Sequence, residues 1–276
     1  MVCDNGSGNA GCGLADFDFW GESACGYFPR RLSLLECYQL CPEGTPSAVQ
    51  RRCFDAALEH GFQWDGAWLY RTNCQGCSQC IPIRIDVSHF SFSKSQRRLL
   101  RKNADISTVM RRGRTRLSSL EKVKLLSLYE RRHRTEEEDL SVMTRVLEGM
   151  NGLWDGWGGR AFSEKCFAGT RNLDYYIDGS LAGVSVLQFG KNAVYSQYFY
   201  YDTSPQVMRR SLGTFSILNE IAYCQKHKIR YYYLGYFVTD CQKMAYKANF
   251  VPYQLLQEGK WLEYNEKMGY SMGVRN

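Results

Sequence analysis

The chain has 276 residues, 44% hydrophobic and 23% charged, the composition of a globular protein able to bury a core without disulfides or metal. No apolar run reaches the roughly 18 residues of a membrane span, and the polar, Gly-rich N-terminus lacks the basic and apolar regions of a secretory signal, so a cytoplasmic protein with no membrane partner is expected. The net charge of +7 is uneven: Arg84 to Arg134 holds fifteen Lys/Arg against four Asp/Glu, a local +11 that leaves −4 on the remainder, as expected of one local polyanion site.

Residues 1–22 read as a flexible tail. Gly6-x-Gly8-x-x-Gly11 spells a dinucleotide fingerprint, but no strand precedes it, so no nucleotide site follows. Gln50 to Gly61 reads as a helix with Phe54, Ala57 and Leu58 on one face and Gly61 closing it. Trp68 to Arg71 is a short strand. Ile81, Ile83, Ile85 and Val87 alternate with polar residues, which predicts a half-buried strand. Residues 23–104 together read as a Cys-rich N-terminal domain.

Nine of the twelve cysteines fall in the first 80 residues. In a reducing compartment such a set points to metal before disulfides. Cys74-x2-Cys77-x2-Cys80 supplies three thiolates at a spacing used by structural zinc and iron–sulfur sites. Cys25, in a similar Gly-containing turn, is the first choice of fourth ligand, and Cys37 and Cys41 are the reserves.

Ser93 to Asn103 is the most legible helix. Ser93 and Gln96 have capping-box spacing. Lys94, Arg97, Arg98, Arg101 and Lys102 fall within an arc of about 140°, with Leu99 and Leu100 opposite. Five cations on one face with no acid among them suit a nucleic-acid backbone.

Residues 105–276 read as a second unit. Ile106 to Met110 is a strand, Arg111 to Arg116 a basic loop, and Leu117 to Arg134 a helix with Leu120, Val123, Leu126 and Tyr129 inward. Glu136 to Asp139 and Trp154 to Gly159 are loops. Leu173–Ile177 and Leu181–Phe189 form a hairpin about Asp178-Gly179. Then follow a strand at Ala193–Tyr201, a helix at Leu212–Lys228, a strand at Arg230–Val238, a helix capped by Asp240, and short strands at Pro252–Leu256 and Lys260–Tyr264. The order predicts a mixed α/β sheet flanked by helices, with a crossover helix between neighbouring strands. No P-loop signature and no H-E-x-x-H occur, so nothing suggests ATP activation or that kind of zinc catalysis.

Taken in order, Cys25-Gly26-Tyr27, Tyr70-Arg71-x2-Cys74-x2-Cys77-x2-Cys80-x-Pro82-x-Arg84-Ile85, Phe90-x3-Lys94-Ser95-Gln96-Arg97-Arg98 and Asn103 resemble the N-terminal domain of aminoacyl-tRNA–protein transferases. The later half agrees through Ala193-Val194-Tyr195, Phe199-Tyr200-Tyr201-Asp202, Ser211-Leu212-Gly213-Thr214, Tyr233-Leu234-Gly235-Tyr236 and Lys243-Met244-x-Tyr246-Lys247-x2-Phe250-x-Pro252. The resemblance covers Cys25 to Trp261.

The resemblance implies a GNAT-like fold and a cytosolic N-degron enzyme. Such an enzyme moves an amino acid from a charged tRNA to the N-terminal amine of a protein beginning with Asp or Glu, marking it for degradation. The compact length favours leucine over arginine as the donated residue, whereas Cys25-Gly26-Tyr27 is similar to the arginyl-transferring eukaryotic branch. That branch has a second cysteine where Phe28 stands, so any zinc or iron–sulfur site held by Cys25, Cys74, Cys77 and Cys80 is completed differently. No cofactor is required for transfer, because an ester attacked by an amine goes downhill to an amide. The α-amine has a pKa near 8, so the expected needs are positioning, a proton acceptor and oxyanion donors.

Lys94, Gln96, Arg97, Arg98, Arg101 and Lys102 are then expected to hold the tRNA acceptor stem. Arg84, Lys243 and Lys247 are the candidates for binding the acidic acceptor residue. Tyr236 and Tyr246 are candidates to orient the reactants, and Asp240 to accept a proton. A monomer is expected. Two other classes compete: an N-acetyltransferase of the same fold, and a non-catalytic, metal-dependent RNA-binding protein. Arg210-x-x-Gly213 resembles the GNAT pyrophosphate loop, but the bulk of Phe215 stands where a small residue belongs.

Overall fold

The computed structural model describes residues 17–41, 44–64, 68–112, 120–133 and 167–266. The Gly6-x-Gly8-x-x-Gly11 match, most of the basic loop after Arg112, and the loops at Glu136 to Asp139 and Trp154 to Gly159 lie outside the described residues.

The first strand, β1 (Phe17–Ala24), begins inside the segment expected to be a tail. It pairs antiparallel with β2 (Leu32–Tyr38). Helix α1 (Ser47–Glu59) buries Phe54, Ala57 and Leu58, the face expected from its spacing. Gly61, at φ 83°, ends the helix in the left-handed region that a side chain resists. Strands β3 (Gln63–Trp64) and β4 (Leu69–Thr72) complete a four-stranded sheet in the order β1-β2-β4-β3.

The next strand, β5 (Ile81–Asp86), leaves this sheet and enters the larger one. The second sheet has eight strands in the order β12-β11-β5-β10-β9-β8-β7-β6. Its other members are β6 (Ser107–Arg112), β7 (Thr170–Ile177), β8 (Ser180–Phe189), β9 (Ala193–Tyr201), β10 (Tyr231–Phe237), β11 (Tyr253–Gln257) and β12 (Lys260–Tyr264). Strand β5 pairs with β10 on one side and β11 on the other. The expected division at residue 104 therefore does not coincide with a break in the sheet. The expected half-buried strand is also corrected: Arg84 and Asp86 are as buried as Ile83 and Ile85, because neighbours cover both faces.

Helices α2 (Lys94–Lys102) and α5 (Leu212–Lys226) cover one face of the sheet. Leu99 and Leu100 of α2 join Leu212, Phe215, Leu218 and Ile221 of α5 over Ile83, Ile85, Val194 and Tyr232. Helix α1 packs against Tyr195 and Tyr233 on the opposite face. Helix α3 (Leu120–His133) puts Val123, Leu125 and Leu126 over Val184, Val186 and Tyr200. Its Lys122 is also buried, held 2.6 Å from the fully buried Asp174, which Arg111 reaches at 2.8 Å. Short helices α4 (Pro205–Met208) and α6 (Gln242–Ala245) lie in the connections.

The β7–β8 hairpin turns at Asp178 and Gly179, both at positive φ, as the sequence signal required. Strands β9 and β10 form the parallel pair of the sheet, joined through crossover helix α5, the expected connection.

Candidate active site

The site is built where β10 parts from β9. The two strands pair through Tyr231–Ala193, Tyr232–Val194 and Tyr233–Tyr195, and β9 then continues to Tyr201 paired with β8 alone. Both strands are irregular here. On β10 the register against β5 shifts between Tyr233 and Tyr236. On β9 the register against β8 shifts so that Leu187 faces Ser196 and Val186 faces Tyr198. The β9–β10 pairing stops beside these irregularities, and Ser196 to Phe199 are only half-buried.

Gly235 sits at the parting with φ 80°. A Cβ there would lie 3.7 Å from Gln63 Oε1, 3.7 Å from Lys247 Nζ and 3.8 Å from the Tyr195 hydroxyl. Three polar atoms from three elements thus surround a backbone notch. Gln63 Oε1 is buried with no hydrogen-bond partner, while its Nε2 donates to Gly61 O. Lys247 is buried; its Nζ donates to Tyr236 O at 2.6 Å and approaches Met244 Sδ at 3.8 Å. Burial lowers its pKa to about 7, against the smaller opposing influence of Cys241 and Cys80. The notch thus sets a buried ammonium, bonded to one backbone oxygen, near an unpaired amide oxygen.

The other expected acceptor-binding cations differ. Arg84 is buried, ion-paired with Glu59, bonded to Tyr233 OH (2.9 Å) and Gln254 Oε1 (2.8 Å), and clasped between the rings of Tyr231 and Trp261 at 3.9 and 4.0 Å. Its Nε and Nη1 are thus engaged within the fold. Lys243 is exposed and has no place in the notch.

Among the expected catalytic groups, Tyr236 accepts a hydrogen bond from Thr72 N at 3.1 Å and fastens β4 to β10. Burial raises its pKa, so it is a neutral phenol. Tyr246 keeps 40% of its surface exposed; partial burial, with the influence of Glu220 and Tyr201, moves its pKa up to about 12. Asp240 is exposed, and the residue at the head of α6 is Cys241, so Asp240 does not cap that helix.

The cysteines gather over the same end of β10. Cys74 accepts from Leu34 N at 3.4 Å, and Cys77 N closes a turn onto Cys74 O. Burial, then repulsion from Cys74, Cys25 and Cys77, pushes the Cys80 thiol up to about 12. Yet among the described residues no three His, Cys, Asp or Glu side chains are arranged to hold a metal ion. Cys25, Cys74 and Cys77 lie near enough to Cys80 for their charges to act on its thiol.

Helix α2 forms as its sequence dictates, with both halves of the capping box made: Ser93 Oγ accepts from Gln96 N, and Gln96 Oε1 accepts from Ser93 N. The cap uses Gln96 Oε1. Lys94, Arg97, Arg98, Arg101 and Lys102 are all exposed. Lys102 Nζ reaches Arg209 O at 2.6 Å, and buried Asn103 binds Arg210 through Nε (2.9 Å) and O (3.0 Å). These bonds seat the basic face beside the head of α5. Arg210 is held by Asn103 and Asp105, and Phe215 lies in the core, so the loop resembling a pyrophosphate site has its cation committed elsewhere.

Two buried polar residues at the parting, Gln63 and Glu220, were not singled out from the sequence. The one available signal was Glu220 itself, a lone acid within the apolar run of α5.

A model of the N terminus of arginine-tRNA-protein transferases matches residues 23–98, and one of the C terminus matches residues 121–257. The aspartate/glutamate leucyltransferase of Saccharophagus degradans is 34% identical over 79% of this chain and 85% of its own. That of Pseudoalteromonas atlantica is 30% identical over 88% of this chain and 95% of its own. Among solved structures, L-PGS from Bacillus licheniformis aligns with 75% of this chain and 66% of its own at 9% identity and a TM-score of 0.39. A GCN5-related glucosamine N-acetyltransferase region aligns with 80% of this chain and 23% of its own at 9% identity and 0.35. Likenesses that loose carry no argument. The matched family models and the two relatives, each spanning most of both chains, place this chain in the aminoacyl-tRNA–protein transferase family.

Proposed function

We propose that this chain transfers leucine from charged tRNA to the N-terminal amine of proteins beginning with Asp or Glu. The observation that carries the acceptor side is the notch at Gly235, where Lys247 Nζ and Gln63 Oε1 converge. The Lys247 ammonium suits the acidic side chain of the acceptor's first residue, and the unpaired Gln63 Oε1 suits an N–H of its α-amine. The parting of β9 and β10, read as GNAT-like, is the place assigned to the meeting of ester and amine. The exposed cations of α2 track acceptor-stem phosphates.

The chemistry needs no activation. The amine nitrogen attacks the ester carbonyl carbon, a C–N bond forms, the C–O bond to the tRNA ribose breaks, and a ribose hydroxyl is released. Held together, the two reactants gain the large advantage of an intramolecular reaction. The names of the relatives favour leucine as the donor.

Substitution at Lys247 tests the acceptor assignment. Lys247→Met should lower kcat/KM for a peptide beginning with Asp by about 10- to 100-fold, the worth of a charge-assisted hydrogen bond. It should leave charged-tRNA binding intact. Equal kcat/KM for Asp- and Asn-initiated peptides in the unaltered protein would contradict the reading.

A further inference from the structure

Glu220 of α5 is 2% exposed, and its partners among the described residues are four hydroxyls from four strands. Tyr175 OH (3.2 Å) and Ser185 Oγ donate to Oε1; Tyr232 OH (2.6 Å) and Ser196 Oγ (3.2 Å) donate to Oε2. A hydroxyl can donate or accept by turning about its C–O bond. The cage therefore serves a carboxylate with all four donating and a carboxylic acid with one turned to accept, without moving a heavy atom. Tyr175, Ser185 and Tyr232 are buried. Ser196 is half-buried and is the first β9 residue beyond the last β9–β10 pair. It connects the cage to the parting of the strands.

We propose that Glu220 is the proton store of the transfer reaction, loaded and unloaded through Ser196 Oγ. This rests on the parting being where ester and amine meet. As the amine nitrogen bonds to the ester carbon, it gives one proton to Ser196 Oγ, and Ser196 passes its own to Glu220 Oε2. When the C–O bond to ribose breaks, the chain runs backward and the proton ends on the departing ribose oxygen. The products are an amide and a ribose hydroxyl; Glu220 returns to carboxylate, and no further reactant is needed.

Among the groups of this cage Glu220 is the carboxyl, the one that gives up its proton most readily. Burial raises its own pKa, with the four hydroxyls opposing. Burial and the Glu220 charge raise Tyr175 and Tyr232 on the strands packed against it, Cys224 one turn further along α5, and Tyr246. These stay neutral where Glu220 exchanges its proton. Glu220 acts through Ser196 and is a positioning residue for the proton, not a group that touches substrate.

The test is the single-turnover rate of labelled leucine transfer from charged tRNA to an Asp-initiated peptide between pH 5.5 and 9. It compares the unaltered chain with Glu220→Gln, Ser196→Ala and Ser196→Thr. The proposal expects Glu220→Gln and Ser196→Ala each to lose about 10²-fold in rate and to lose the acid-side inflection of the pH profile. Ser196→Thr, which keeps a hydroxyl, should recover both. A rate within threefold of the unaltered chain for Ser196→Ala, or a slowed variant that keeps the same inflection, overturns it. If Glu220→Gln fails to fold, the Ser196 pair decides alone. An unaltered chain that transfers nothing contradicts the proposed function; an unaltered chain that transfers while Ser196→Ala keeps its profile contradicts only the relay.

Discussion

Burial at Lys247 sets its pH response as well as its position. Its ammonium has an ordinary pKa of 10.5 and a folded value of about 7. The unfolded chain thus binds one more proton than the folded chain between those values, so folding stability rises with pH across that window. Lys247→Met should flatten that rise and be more stable than the unaltered chain at pH 7, as read by urea unfolding. For the acceptor the sign is opposite. A carboxylate favours the protonated lysine, so KM for an Asp-initiated peptide should increase as pH climbs above about 7. A KM that stays level would remove the charge of Lys247 from recognition. Single residues were the least legible level of the sequence. Lys247 could be named as a candidate cation, but so could Arg84. What separates them is Glu59, Tyr231 and Trp261 closing around Arg84, contacts made by the fold and invisible to spacing.

Elements were legible where their causes are local. Helix α2 has its capping box, basic face and C-terminal Asn103 as its own residues dictate, because a cap and an i, i+3, i+4 stripe involve only neighbours in sequence. Its prediction belongs at this level too. Reversing Arg97 and Arg98 to Glu should weaken tRNA binding and flatten the plot of log affinity against log salt, by about one unit or more of slope for each lost phosphate contact. An unchanged slope would separate α2 from the tRNA. Strand β5 shows the opposite case. Its apolar alternation predicts one wet face, but α2 and α5 cover Ile83 and Ile85 on one side, and Glu59, Tyr231, Trp261 and Arg230 close over Arg84 and Asp86 on the other. Residues 17–22 were read as tail because Gly, Asn and Asp dominate what precedes them, and pairing with β2 gives them strand structure regardless.

At the scale of the whole molecule, β5 is the strand that unites the chain. It comes from the Cys-rich segment, yet lies between β10 and β11. A fragment of residues 105–276 lacks that strand and should show no cooperative urea transition alone. Residues 1–104 supplied in trans should restore one. Independent cooperative folding of the fragment would contradict the shared sheet. The order of strands and helices after residue 170 was readable because hairpin and crossover signals are short-range. The insertion of β5 was not, since strand order depends on pairing partners distant in sequence.

The central claim is tRNA-dependent transfer to an acidic N-terminus. The direct measurement supplies the purified protein with tRNAs carrying labelled leucine or labelled arginine, and with peptides beginning with Asp, Glu or Lys. Labelled leucine should appear on the Asp and Glu peptides and little on the Lys peptide, without ATP. Label on no peptide, or label on the Lys peptide as fast as on the acidic ones, would contradict it.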